Sequence, residues 1–233
     1  MEASQVETPA QGWKTFYKFG GAAALSMVAI IVIQMIFFMT APPPLEGSAR
    51  DWFDFFQTNR LAGLVGFELL MIVYTLLSLP VALCLYRALK RTDAAWTAFY
   101  VVLTLIGVVC FIAARPALEM LSLSSQFAAA ATETQRSVIL AAGEAKLAAF
   151  HGTAFQISYI LGSLGGLIIS LVMLKSNVFS KATAYVRIGS SIFDFGLYLP
   201  GIGMYISIFS VFFLFAFNIM VARRFFQLAR AED

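Results

Sequence analysis

The chain has 233 residues, of which 60% are hydrophobic and only 12% charged, with a formal net charge of +3. A soluble domain carries about a quarter charged residues, so the composition argues for a membrane protein and against a soluble one. A single histidine argues against a zinc centre or a bis-histidine haem, no cofactor is expected, and so dilute a charge gives no nucleic-acid footprint.

In chain order, the opening "MEASQVETPA" is acidic and polar, and no small-residue cleavage site follows a short apolar core. The first apolar block is therefore expected to be a retained span rather than a signal peptide. A helix of roughly 20 apolar residues crosses the hydrocarbon core, and six blocks read as spans. The first covers about residues 19–39 and halts at "TAPPPLEG", where three prolines cannot continue a helix. The second covers about 60–86, the third 94–118 and the fourth 150–174. The fifth, about 182–199, is the most polar, and the sixth covers about 202–222 after a tight turn through Pro200, Gly201 and Gly203. The expected fold is all-α: a polytopic six-transmembrane-helix bundle forming one domain over 16–224, between a polar N-terminal tail at 1–15 and a C-terminal tail at 225–233. Cys84 and Cys110 lie inside apolar blocks and read as small hydrophobes.

Ten of the sixteen basic residues fall in one set of alternating segments: Lys14, Lys18, Arg87, Lys90, Arg91, Lys175, Lys181, Arg223, Arg224 and Arg230. The other set holds only Arg50, Arg60, Arg136 and Lys146, with Arg115 and Arg187 left inside spans. The positive-inside rule then places both termini in the cytoplasm of a cell whose inner (plasma) membrane holds the chain.

Two outer connections carry structure of their own. "GSARDWFDFFQTN" offers Ser48 as an N-cap, and its aromatics Trp52, Phe53, Phe55 and Phe56 either lie in the headgroup region or plug the bundle mouth. The connection before the fourth span has a capping box in Thr132 and Gln135, followed by an alanine-rich helix expected to run into that span.

The arrangement resembles a bacterial family of multi-pass membrane proteins known as domain of unknown function 4386. The resemblance rests on "ALCLYRALKRTDAAWTAFYVV" between spans two and three, an Arg and a Glu in span three, and "GSLGGLIISLVMLKSNVFSKATAYVRIG" between spans four and five. It implies the architecture and supplies no catalytic or binding residues.

Charges at membrane depth are the candidate functional residues. They are Glu68, Arg115, Glu119, Arg187 and Asp194, with His151 at a span edge. Each costs ~2.5–3.5 kcal/mol near the bilayer centre on insertion scales, so each must be neutralised, paired or led to water. At about 1.5 Å per residue Glu68 lies roughly 12 Å below the outer end of span two. Arg115 and Glu119 lie near the outer end of span three, and His151 opens span four on the same side. These four define a candidate outward-opening polar pocket, with Asn59, Arg60 and Gln156 as further wall residues. Arg115 and Glu119 also have the i, i+4 spacing of a simple surface pair. Glu68 is too short to reach the interface and is expected to be neutralised or to pair with Arg115 or His151.

In span five, Arg187 lies about 8 Å from the cytoplasmic end and can reach that interface with its own stem, whereas Asp194, about 18 Å in, cannot. Seven residues place them on one face but two turns apart, further than a simple pair spans. Asp194, Ser190, Ser191 and Tyr198 form one polar strip.

Enzymatic chemistry finds no support. Ser163 in "GSLGG" lies about 18 Å of helical rise from His151, and the glycines read as close packing of Gly162 and Gly166. Two readings of function follow. One is a bundle that binds or moves a small solute, a proton or a lipid-like molecule through the polar pocket. The other is a non-catalytic module that stabilises or regulates a partner. The bilayer is the partner that composition demands, and self-association or association with another protein stays open.

Overall fold

A computed structural model describes residues 9–199 and 201–231. Residues 1–8 of the polar tail and Pro200 of the turn before the last span lie outside the described residues. Among the described residues all regular structure is helical, with no strand. The helices are α1 (Pro9–Thr40), α2 (Ala49–Thr58), α3 (Arg60–Gly66), α4 (Leu69–Leu89), α5 (Ala94–Ala113), α6 (Ala117–Ala129), α7 (Glu133–Phe150), α8 (Thr153–Lys175), α9 (Lys181–Phe195) and α10 (Gly203–Ala231). A 3₁₀ turn, Gly196–Tyr198, follows α9.

Five stretches are long and apolar enough to cross a membrane: Gly12–Thr40, Leu69–Leu89, Ala94–Ala129, Glu133–Lys175 and Ile206–Arg230. The fifth expected span corresponds to α9, whose 15 residues rise only about 22 Å, short of the ~30 Å hydrocarbon core.

Three segments expected to be continuous are broken. The second divides into α3 and α4 at Phe67–Glu68, and the third into α5 and α6 at Ala114–Pro116. The helix leading into the fourth span divides into α7 and α8 at His151–Gly152. Each break has a local cause. Glu68 has a left-handed φ of 59°, a conformation that ends a helix and that glycine usually supplies. Pro116 is the N-cap of α6 and has no N–H to continue α5. Gly152 follows α7's C-cap, His151.

Contacts divide the chain into two compact units. The first comprises Met1–Val28, Leu77–Leu105 and Ile160–Asp233, and the second Ala29–Leu76 and Ile106–Tyr159. In the first, α9 and α10 pack as a hairpin through the 3₁₀ turn, with Gly201 at φ 80° in the connection.

In the second unit, α2, α3, α6 and α7 pack on one another. Their core holds Trp52, Phe53, Phe56, Phe67, Met120 and Phe150, all fully or almost fully buried. Trp52 meets Phe67 edge-on at 4.4 Å between centroids, and Phe67 meets Phe150 at 4.8 Å. Such pairs contribute about 0.5–1.5 kcal/mol each beyond area burial. The aromatics of α2 thus point into protein, which removes the alternative that they lie among headgroups. Ser48 caps α2 in a full capping box with Asp51, and hydrogen bonds from Ser48 hold the Asp51 carboxyl below its ordinary range. Thr132 and Gln135 make the expected box at α7.

Candidate functional site

The three helix breaks of the second unit meet at Arg115. Its backbone lies in the gap between α5 and α6, and its guanidinium runs inward with a side chain 1% exposed. Nε donates to Glu68 Oε2 at 2.6 Å. Nη1 donates to the Phe150 carbonyl at 3.0 Å, and to Ala114's at 3.3 Å. The last residues of a helix leave carbonyls without intrahelical donors. Arg115 therefore satisfies carbonyls at the ends of both α5 and α7 while pairing with the carboxylate that precedes α4. A carboxylate there also faces the positive end of the α4 dipole. Three rings complete the enclosure, with the guanidinium carbon 4.3, 4.5 and 4.6 Å from the centroids of Phe111, Phe150 and Phe155. Desolvated cation–π contacts of this kind contribute up to about 2 kcal/mol.

Glu68 holds this position in a conformation that costs a non-glycine residue roughly 1–2 kcal/mol. A strained residue bonded to a buried cation is a common signature of a functional site. Unlike Arg115, Glu68 keeps its side chain 28% exposed. His151 is exposed, with its ring edge-on to Phe150 and Phe155 at 4.6 and 5.8 Å. Gln156 donates to the His151 carbonyl at 3.5 Å, and Asn59 caps α3 through the Ala62 N–H. Arg60 is exposed.

Glu119 does not join this group. The break at Ala114–Pro116 takes Arg115 out of the α6 register, so the i, i+4 relation no longer brings the two together. Glu119 instead faces Lys146 of α7 at 3.9 Å.

Asp194 belongs to the first unit, and its partners lie there. Arg187 Nη1 is 4.0 Å from Asp194 Oδ2, which corrects the expectation that the pair is too far apart: the long arginine stem covers two helical turns. Nor does Arg187 run to the interface. Its guanidinium donates to Ser190 Oγ at 3.0 Å and to the Gly162 carbonyl at 3.2 Å. Gly166 makes room for it, since a Cβ there would fall 2.5 Å from the guanidinium carbon. Ser210 hydrogen-bonds the Asp194 carboxylate. Ser190 and Ser191 are buried, whereas Tyr198 is exposed. The packing expected of Gly162 belongs to Gly165 and Gly166, because nothing lies within 4 Å of a Cβ built at Gly162.

Residues 22–228 match a family described as a domain of unknown function, DUF4386. The chain belongs to the DUF4386 family. No curated protein and no solved structure matches it. The DUF4386 assignment covers both units, so the Arg115 cluster and the Arg187–Asp194 pair both fall inside the family region.

Sequence reading missed one polar residue beside the Arg115 cluster. Gln34 of α1 is 8% exposed and donates from Nε2 to the Val65 carbonyl, near the end of α3, at 2.9 Å. Its Oε1 is buried with no hydrogen-bond partner among the described residues. The signal was available, because Gln34 is the one amide in "MVAIIVIQMIFFM". Among the described residues no group of three or more His, Cys, Asp or Glu could hold a metal ion.

Proposed function

We propose that this is a six-span membrane protein with both termini in the cytoplasm, and that a polar site at its three helix breaks opens toward the outer face. That site binds or moves a small solute, a proton or a lipid-like molecule. The observation that carries the reading is the meeting of three discontinuous helices at a Glu–Arg pair whose carboxylate keeps partial exposure. Broken helices whose ends converge within a bundle are how membrane proteins build solute and ion sites. Gln34 Oε1 adds a buried acceptor beside the break in α3–α4.

The topology draws support from where the charges lie. All ten basic residues of the larger set belong to the first unit, and all four of the smaller set to the second. Within the first unit the basic segments converge. Arg87 stands over the Trp13 ring at 5.5 Å, and Lys14, Lys18 and Arg230 line one cavity. Asn177, Ser180 and Thr183 line another with Arg223 and Arg224. With the 3₁₀ turn added, α9 reaches about 28 Å, close to one bilayer core.

The second reading, a non-catalytic module that stabilises or regulates a partner, is favoured by one observation: protein groups engage the Arg115 guanidinium through Glu68, two carbonyls and three rings. Liposome reconstitution separates the two. The pocket reading expects pH-dependent flux or ligand retention that Glu68→Gln reduces at least tenfold. If Glu68→Gln and Asp194→Asn leave flux and uptake untouched and lower only detergent stability, the pocket reading fails and the module reading stands.

A further inference from the structure

We infer that the α8–α9 connection and the end of α10 form a binding site for the phosphate of an anionic phospholipid headgroup. The site is an open cavity of about 380 Å³ in the first unit, whose polar lining comes from Asn177, Ser180, Thr183, Arg223, Arg224 and Gln227. Among the described residues no acidic side chain lines it. Arg224 places Nη1 on Gln227 Oε1 at 3.1 Å, while its Nε is buried without a hydrogen-bond partner among the described residues. Arg223 is exposed and Arg224 partly so, and charge-assisted hydrogen bonds from such guanidinium groups to a phosphate are stronger than neutral ones. Guanidinium groups also match phosphate geometry in a way that ammonium groups do not.

The start of α9 adds to the same cavity. Ser180 is its N-cap, accepting from the Thr183 N–H, and a helix start favours an anion through its first N–H groups and its dipole. Lys181 donates to the Leu174 carbonyl, which ties the connection back to the end of α8.

A lipid, rather than a soluble phosphate, is indicated by what leads up to the cavity. Ile208, Phe212 and Ile219 are 52%, 62% and 45% exposed, and their spacing places them on one face of α10. Arg223, four residues beyond Ile219, ends that stripe and lines the cavity. Acyl chains lying on the stripe would set a headgroup phosphate beside Arg223 and Arg224. Basic pockets between transmembrane helices on the cytoplasmic side bind anionic headgroups in this manner. The site rests on the membrane topology above and not on the Glu68 pocket.

The test uses the full chain in neutral detergent. Its unfolding midpoint is measured with added phosphatidylglycerol, phosphatidylcholine, or inorganic phosphate against chloride at matched ionic strength. Phosphatidylglycerol is expected to raise the midpoint by roughly 5–10 °C, the shift a ligand at a hundred times its Kd gives a chain of this size. Phosphatidylcholine and inorganic phosphate should give less than half of it. Arg223→Gln with Arg224→Gln should abolish the shift, and Arg91→Gln, an exposed cation elsewhere in the same unit, should keep it. If the double variant fails to fold, Arg223→Gln alone should remove at least half of the shift, because Arg223 is exposed. An unchanged shift in the Arg223 variants, equal shifts from the two lipids, or a full shift from inorganic phosphate alone would each overturn the inference.

Discussion

Glu68 supplies a comparison whose sign depends on the backbone. In a continuous α-helix, alanine is more stable than glycine by about 1 kcal/mol. At φ 59° the order reverses, because a Cβ in the left-handed region costs roughly 1–2 kcal/mol that glycine does not incur. Glu68→Ala and Glu68→Gly both delete the bond to Arg115, so that loss cancels between them. The glycine variant is expected to be more stable than the alanine variant by about 1 kcal/mol. That lies about 2 kcal/mol from the value a continuous helix would give. Chemical unfolding in detergent reads the difference through Trp52, whose ring lies 4.4 Å from Phe67, in a background of Trp13→Phe and Trp96→Phe. If the alanine variant is the more stable by about 1 kcal/mol, α3 and α4 are one helix and the reasoning is wrong.

Other outcomes follow from the same structure. A Cβ at Gly143 would fall 2.7 Å from Phe53 Cζ and 2.8 Å from Ala49 Cβ. Gly143→Ala should therefore destabilise by about 1–3 kcal/mol, despite alanine's better helix propensity. Gly162→Ala, with nothing within 4 Å, should be neutral or slightly stabilising in the same unfolding assay. For Asp51, the folded carboxyl is held below its ordinary value of 3.8 by hydrogen bonds from Ser48. Its stabilisation of α2 is thus fully present above the unfolded value and is lost as pH falls through the lowered one. Hydrogen exchange of the α2 amides should show Asp51→Asn and wild type diverging above about pH 4 and converging below.

Much of the helical layout is legible in local sequence, because its causes are local. Pro42, Pro43 and Pro44 end α1, Ser48 and Thr132 cap where their side chains predict, and Lys and Arg segregate into alternate segments. The helix breaks are less legible. Pro116 announces one, but "GLVGFELL" carries no proline, and Glu68 adopts its turn because a partner 47 residues away holds its carboxylate. The alternatives for Trp52, Phe53 and Phe56 could not be settled by periodicity, since an apolar face looks the same whether lipid or α6 and α7 cover it. Counting helical rise between backbones sets Arg187 and Asp194 too far apart, because it ignores the reach of an arginine stem. Gln34 is hard to single out because a lone amide in a span carries no charge, although its desolvation demands a partner all the same.

The central claim is that Glu68 and Arg115 act as one unit holding three helix breaks together, and a double-mutant cycle measures it most directly. Glu68→Gln, Arg115→Gln and the double variant are unfolded in detergent alongside the wild-type chain. The 2.6 Å bond between groups exposed 28% and 1% predicts a coupling energy of about 1.5–3 kcal/mol. Arg115→Gln alone should cost about 3–5 kcal/mol, because it leaves the carboxylate and the carbonyls of Ala114 and Phe150 without their donor. A coupling below about 0.5 kcal/mol, the range of independent sites, would contradict the account.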